Sequence, residues 1–302
     1  MSVRIVYSQS FGVKYKASVC SKAFILYVVI TILTFALPLI FCYRSSGRVN
    51  RLWIKYEKYR EQPIVQFKLQ YLLYAETSDP MSPLICGNYP KTLKTTGLCS
   101  TIKVIEEDIN IDGKKEFLDL ELYLTMNKTL DVHSITLLLI FDFKIQDLCL
   151  LEMESMAVIT HSSGLPGGRL DVFGDLNLVQ KIPLVCTPRK PIRMNRPILI
   201  FESPDWLVNI YEEYSKRTLS TKLDNVLIKW TRGRPYQQPF LIKTKINYGF
   251  VEILYKPKFW QVMKWAWIQY FSVLVLSVFI FKKVKRFLYT NHIVTTKIER
   301  SA

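Results

Sequence analysis

Two long runs of residues without a charged side chain restrict the fold of this chain more than any other feature. The first covers residues 23–43, and as a helix of ~1.5 Å per residue it would be about 31 Å long, close to a hydrocarbon core of ~30 Å. The second, residues 265–281, follows Phe259 and Trp260 and precedes Lys282. Aromatic residues before an apolar run and basic residues after it are typical of membrane interfaces. The sequence therefore predicts two transmembrane helices.

A cleaved signal peptide is the alternative interpretation of the first run. The apolar core of a signal peptide has ~7–15 residues and ends at small residues. This run is longer, and it ends at Cys42 and Tyr43 before Arg44. The pattern favours an uncleaved anchor.

The charge distribution predicts that both ends of the chain are cytosolic. Within a net charge of +16, residues 1–22 contain only basic charges and residues 282–302 contain Glu299 as their single acid, whereas the middle is nearly balanced. Basic residues favour the cytosolic side of a membrane span, although several also lie just inside the long loop. We expect five segments: a cytosolic segment at 1–22, helices at 23–43 and 259–281 (the latter with its aromatic belt), a non-cytosolic domain at 44–258, and a basic cytosolic tail at 282–302.

The middle segment has an alternation of period two, which predicts antiparallel strands with one buried face. Residues 66–71, 117–124 and 242–248 follow it, with Phe67, Leu69 and Tyr71 on one face of the first run, and residues 137–143 are apolar on both faces until Asp142. Turns are predicted at residues 163–164, 166–168 and 174–175. We expect a mainly antiparallel, sandwich-like β domain.

One short helix is predicted within the β domain. Ser203 can cap it, Pro204 suits its first position, and Asp205 favours its first turn. The apolar face that follows consists of Trp206, Leu207, Ile210, Tyr211 and Tyr214.

Two kinds of modification would suit a non-cytosolic domain. Asn127, followed by Lys128 and Thr129, forms a sequon that could be glycosylated. The loop also has four cysteines, which an oxidising compartment could join as two disulfides in three connectivities. Free buried cysteines are the alternative. The four are Cys86, Cys99, Cys149 and Cys186.

Residues 108–119 resemble the first part of a calcium-binding loop. Such loops place oxygen ligands at alternate positions and a glycine at the sixth, where this chain has Gly113. The twelfth position is Asp rather than Glu, and the flanks predict strands instead of helices. The pattern therefore favours an acidic Asp-Gly turn without an ion, and a strand-turn-strand calcium loop is the alternative. The candidate ligands are Asp108, Asn110, Asp112, Glu116 and Asp119.

Patterns of catalysis and of nucleic-acid binding are missing from the sequence. The three histidines are scattered, and no phosphate loop, nucleophile elbow or zinc-protease motif occurs. No basic module of a nucleic-acid binder is present either. We therefore expect no enzymatic activity, no small-molecule substrate and no cofactor other than calcium. Among the polar residues of the apolar runs, Gln269 is the candidate for a helix–helix contact.

Short motifs along most of the chain resemble those of the transmembrane protein 231 family. They occur in the family's order and spacing: Tyr15-Lys16-Ala17, Cys20-Ser21-Lys22-Ala23, Arg44-Ser45, Glu61-Gln62-Pro63, Glu106-Glu107-Asp108, Asp112-Gly113-Lys114, Gly174-Asp175-Leu176 (as a hairpin), Phe259-Trp260, Trp267 with Gln269-Tyr270, and Val294-Thr295-Thr296.

The resemblance implies a two-pass protein of the ciliary membrane at the transition zone. Its partners would be tectonic-like and other Meckel-complex membrane proteins, together with the lipid bilayer. Such a complex forms a diffusion barrier that controls ciliary membrane composition, and so supports ciliogenesis and Hedgehog signalling. Two other functions fit the same topology: an accessory subunit of a channel or transporter, and a calcium-dependent receptor or adhesion module.

Overall fold

The structure, a computed structural model, describes residues 13–17, 21–44, 55–79, 83–88, 98–126, 130–187, 190–194, 196–199, 206–235, 238–291, 293–294 and 297–300. The chain divides into two compact units, one formed by Met1–Lys55 with Pro257–Ala302 and the other by Tyr56–Lys256. In chain order the elements are β1 (Val13–Lys16), α1 (Lys22–Arg44), β2 (Glu57–Glu61), β3 (Ile64–Thr77), β4 (Leu84–Gly87), β5 (Leu98–Glu107), β6 (Phe117–Thr125), β7 (Val132–Ile145), β8 (Leu151–Gln180), β9 (Ile192–Met194), α2 (Trp206–Lys216), β10 (Leu219–Arg232), β11 (Phe240–Asn247), β12 (Val251–Tyr255), α3 (Phe259–Thr290) and β13 (Lys297–Arg300).

The first unit contains α1 and α3, which are both long and apolar enough to cross a membrane. Most of their apolar side chains are not covered by other residues of the protein. Helix α3 continues nine residues beyond the apolar run, because Lys, Arg and Leu are good helix formers and nothing in the basic segment ends a helix. The end of α3 therefore does not coincide with the end of the apolar run.

The second unit is built on a nine-stranded sheet in its described part. Its main order is β4-β3-β7-β8-β11-β6-β5, and β9 and β10 pair with β8. All pairs are antiparallel except those of β8 with β9 and with β11. A smaller antiparallel sheet joins β2 to β12. The predicted class is confirmed: two candidate membrane helices flank a mostly antiparallel β domain with one short helix.

Strand β8 is 30 residues long and joins two parts of the main sheet. One part contains β4, β3 and β7, and the other contains β11, β6, β5 and β10. Its residues 151–162 pair with β7, whereas residues 167–180 pair with β10 and residues 169–175 pair with β11. The three turns predicted in this range, and the hairpin at Gly174 and Asp175, are therefore wrong. The chain stays extended there, and the pairing with β7 only shifts its register between Ser134 and Val132.

Glycines in β8 allow close packing rather than chain reversal. A Cβ atom at Gly167 would overlap the indole of Trp230, and one at Gly168 would overlap the carbonyl oxygen of Gly233. Turns and close backbone approach both require glycine. The glycines at 167 and 168 therefore led to a predicted turn at a place where the chain forms a strand.

One hydrophobic core lies between the two parts of the sheet. The alternation predicted for β6 and β11 is confirmed, because its inward side chains are at most 2% exposed: Leu118, Leu120, Leu122, Leu124, Ile242, Thr244, Ile246 and Tyr248. The leucines and isoleucines share a cluster with the odd-numbered apolar residues of β7. The rings of Phe141 and Tyr248 meet edge to face, with centroids 6.0 Å apart. This arrangement is sandwich-like.

The alternation prediction is wrong at Leu69 in β3. This residue has a φ of 58° and a side chain that is 53% exposed. It lies in a bulge where the register against β7 shifts between Phe67 and Gln70. Two extra residues leave the odd positions on either side facing the core, so Tyr71 is still buried.

Helix α2 covers the other face of β3, β7 and β8, as its predicted apolar face requires. Its Ile210 is 2% exposed and packs in a second cluster with Leu72, Leu138, Ile140 and Met156. This packing explains why residues 137–143 are apolar on both faces. The predicted cap residues Ser203, Pro204 and Asp205 lie outside the described part of the chain.

A tyrosine hydroxyl fastens α2 to the sheet. The Tyr214 Oη atom accepts hydrogen bonds from the backbone N–H of Thr221, at 2.7 Å, and of Met156, at 3.1 Å. It also lies 3.0 Å from the Thr221 hydroxyl. The helix is thereby tied to β8 and β10 together.

Candidate functional site

The two membrane-helix candidates are in direct contact. Lys285 Nζ donates a hydrogen bond to Thr31 Oγ1 at 3.0 Å, and the Tyr289 hydroxyl donates to the Ala23 carbonyl at 3.4 Å. Lys285 Nζ also lies 4.4 Å from the centroid of the Tyr27 ring, within the range of a cation–π interaction. The helices are therefore antiparallel, and the last turns of α3 lie beside the first turns of α1.

The sequence assigned the helix contact to a different residue. Gln269 is partly buried, and its side-chain amide makes no hydrogen bond within the described residues, so its contact stays a prediction. Lys285 was interpreted only as part of the basic stop. No sequence pattern distinguished Lys285 from the other basic residues of that segment, because its partner Thr31 is 254 residues away in the chain.

The two ends of the described chain pair with each other. Strands β1 and β13 are antiparallel, from Val13 opposite Arg300 to Lys16 opposite Lys297. Both ends therefore lie on the same side of the helix pair.

The acidic turn, which we define as residues 108–116, contains four of the five candidate calcium ligands and brings its three carboxylates together. One oxygen from each of Asp108, Asp112 and Glu116 lies within 4.8 Å of the others. Asp119 instead lies on β6, with its Oδ2 3.8 Å from Lys243 Nζ. Its position on a strand therefore takes it into an ion pair.

Hydrogen bonds within the acidic turn occupy its carboxylates. Both oxygens of Asp108 accept backbone N–H groups, from Asp112 and Gly113. Asp112 accepts from the Lys114 backbone and the Asn110 amide, and Glu116 accepts from the Ile109 backbone and the Gln62 amide. All six carboxylate oxygens thus have a donor in the chain itself. This geometry is that of a stable acidic turn, and calcium binding stays a prediction.

Glu106 has a structural role that the sequence did not indicate. Its side chain is only 9% exposed. It accepts hydrogen bonds from the Phe67 backbone at 2.8 Å, from Lys115 Nζ at 2.8 Å and from the Tyr248 hydroxyl at 3.3 Å. Burial and the neighbouring carboxylate raise the pKa of Tyr248, which keeps this tyrosine a neutral donor. Glu106 thus connects β5, β3 and the residue after β11.

The sheet face formed by β5, β6, β11, β8 and β10 carries a row of alternating charges. In register across these strands lie Lys103, Glu121, Lys243, Asp171 and Lys229. Lys243 Nζ lies 2.9 Å from Glu121 Oε1, and this hydrogen bond lowers the pKa of Glu121. Opposite charges therefore face each other along the row and compensate one another, and Asp171, which is only 6% exposed, is also paired with Arg169.

Disulfides join parts of the β domain. Cys149, after β7, is bonded to Cys186, after β8, across a separation of 37 residues. Cys86 is also disulfide-bonded, whereas the side chain of Cys99 lies outside what the structure describes. Cys42 of α1 is free and buried. Asn127 also lies outside the described residues.

Comparison with known proteins gives consistent matches over nearly the whole chain. The model of the family described as Transmembrane protein 231 matches residues 1–298. Transmembrane protein 231 of Xenopus tropicalis is 35% identical over 303 residues, covering 98% of this chain and 96% of that protein. The proteins of the same name from Rattus norvegicus and Homo sapiens are 34% and 33% identical, each covering 98% of this chain and 95% of the relative.

Proposed function

The chain belongs to the transmembrane protein 231 family, and we propose that it is a structural membrane component of the ciliary transition-zone complex. In this role it contributes to the diffusion barrier that controls ciliary membrane protein composition, and so to ciliogenesis and Hedgehog signalling. The observation that carries the proposal is the family match over residues 1–298.

Several features of the chain support a non-catalytic role. The polar side chains of the acidic turn, of Glu106 and of the charged row already form hydrogen bonds or ion pairs within the chain. Reactive groups in an active site need a free position for a substrate, and these groups instead stabilise the fold. The large exposed apolar area lies on α1 and α3, where lipid and neighbouring helices can cover it.

The proposed topology places both ends in the cytosol and the β domain on the other side of the membrane. The pairing of β1 with β13 fits two ends on one side, and their basic charge favours the cytosolic side. The disulfide of Cys149 and Cys186 suits an oxidising compartment for the β domain.

The proposed partners are tectonic-like and other membrane proteins of the Meckel complex. A protein with two anchors and a rigid domain acts in such an assembly by occupying space and fixing its neighbours. The outward faces of α1 and α3 supply the surfaces within the membrane. The charged row supplies a polar surface on the β domain.

Location is the decisive test of the proposal. A version of the full chain with a C-terminal tag, expressed at its native level in ciliated cells, should be concentrated at the base of the cilium next to a transition-zone marker. Even labelling of the plasma membrane would refute the ciliary role. Cross-linking followed by mass spectrometry should then recover tectonic-like membrane proteins.

Glycosylation tests the topology separately. Glycosidase treatment should increase the gel mobility of the natural chain but leave an Asn127→Gln variant unchanged. Proteases added to the cytosolic side should cut the basic tail and spare the β domain. Cleavage of the β domain under these conditions would reverse the proposed orientation.

A further inference from the structure

The contact between α1 and α3 places basic side chains of one helix beside apolar side chains of the other. Because Lys285 meets Thr31 and Tyr289 meets Ala23, residues 282–286 lie beside the first three turns of α1. We call this region the basic notch, formed by Lys282, Lys283, Lys285 and Arg286 of α3 with Tyr27, Val28 and Phe35 of α1.

The cations of the basic notch have no acidic partner in the described part of the chain. None of the four forms an ion pair there, and Lys282, Lys283 and Arg286 are exposed. Lys282 and Arg286 are four residues apart, so they lie one above the other on α3. Lys285 is turned towards α1 by Thr31 and Tyr27. Two cations are thus free to meet the same anionic group.

The α1 side of the basic notch is apolar and uncovered. Tyr27, Val28 and Phe35 are between 37% and 52% exposed. Tyr27 and Val28 lie at the depth of the cations and Phe35 lies about two turns deeper in the apolar run, because the helices are antiparallel and held in register by two hydrogen bonds. A ligand that fills the notch needs a negative charge for α3 and a hydrocarbon part for α1.

We propose that the basic notch binds an anionic phospholipid, with its phosphate between Lys282 and Arg286 and an acyl chain along α1. Basic pockets between membrane helices bind anionic headgroups in this way. A free phosphate would use the cations but leave the apolar side uncovered. This inference goes beyond the ciliary role and does not depend on it.

The test uses the purified full chain in a detergent with an uncharged headgroup. Native mass spectrometry measures the binding of dioctanoyl phosphatidylserine, dioctanoyl phosphatidylcholine and glycerophosphoserine, which lacks acyl chains. We expect phosphatidylserine to bind at least tenfold more tightly than either of the others. Equal binding of the two lipids would overturn the proposal, and equal binding of glycerophosphoserine would assign the notch to free anions instead.

Matched variants locate the binding. A basic residue near a membrane surface contributes roughly a factor of five to the binding of anionic lipid. The Lys282→Gln/Arg286→Gln variant should therefore bind phosphatidylserine about 30-fold more weakly. The control Lys256→Gln/Lys258→Gln, which removes the same charge before the other end of α3, should change binding less than twofold. Equal weakening in both variants would mean diffuse attraction rather than a site.

Discussion

Removing the disulfide of Cys149 and Cys186 should destabilise the β domain by about 4 kcal/mol. The bond closes a loop with a sequence separation of 37 residues, and the entropy that such a loop removes from the unfolded chain corresponds to about 4 kcal/mol at 25 °C. For a domain of this size each kcal/mol lowers the melting temperature by about 2–4 °C. A Cys149→Ala/Cys186→Ala variant should therefore melt roughly 8–16 °C lower.

The measurement is the thermal unfolding of the full chain in detergent without reductant, followed by tryptophan fluorescence. Of the six tryptophans, Trp206 lies on α2 and Trp230 on β10, so the fluorescence change of these two reports on the β domain. The control is Cys42→Ala, because Cys42 is a free cysteine of α1 and its removal should leave this transition in place. A double variant that melts with the natural chain would refute the loop-closure argument.

Three further results follow from contacts of the β domain. Tyr214→Phe should lower the free energy of unfolding by about 1–3 kcal/mol, because it leaves buried N–H groups without an acceptor. Tyr211→Phe should leave the free energy of unfolding unchanged, since the buried Tyr211 hydroxyl has no partner among the described residues. Equal effects of the two substitutions in chemical denaturation would contradict this reasoning. Gly167→Ala should cost about 1–3 kcal/mol through overlap with Trp230, and Gly164→Ala, which has open space, should cost none; similar melting temperatures would disprove the close approach. Calcium should bind the acidic turn with a dissociation constant of about 1 mM or weaker, because its carboxylates already accept hydrogen bonds; micromolar binding in a calorimetric titration would refute that reasoning.

The predictable parts of the fold are those where one local pattern has one physical cause. Apolar side chains at every second position have to face a core, and the alternation around Leu120 and Ile242 therefore placed β6 and β11 correctly. The apolar face around Ile210 identified α2 for the same reason. The membrane-helix candidates were recognisable because few other structures use such long uncharged runs.

The remaining features depend on residues that are distant in sequence. The glycines of β8 could not be assigned without knowing that Trp230 packs on Gly167. The burial of Glu106 depends on Phe67 and Tyr248, which come from two other parts of the chain. Sequence spacing likewise grouped five oxygen ligands, but strand geometry separated one of them from the acidic turn.

The exposed Leu69 shows the same limit on a small scale. Local alternation placed its side chain in the core, but the bulge in β3 is visible only from the register against β7. No pattern within β3 itself could have indicated that shift.

The double membership of β8 has a consequence for biosynthesis. Its second half remains without its parallel neighbour until β11, some 70 residues later in the chain, has been translated, since Arg169 pairs with Leu241. Pairings between such distant segments slow folding and leave strand edges open in the meantime. Because β8 pairs with both β7 and β11, we expect the whole β domain to fold in one late, cooperative step, and a destabilising substitution in either part of the sheet to impair both parts.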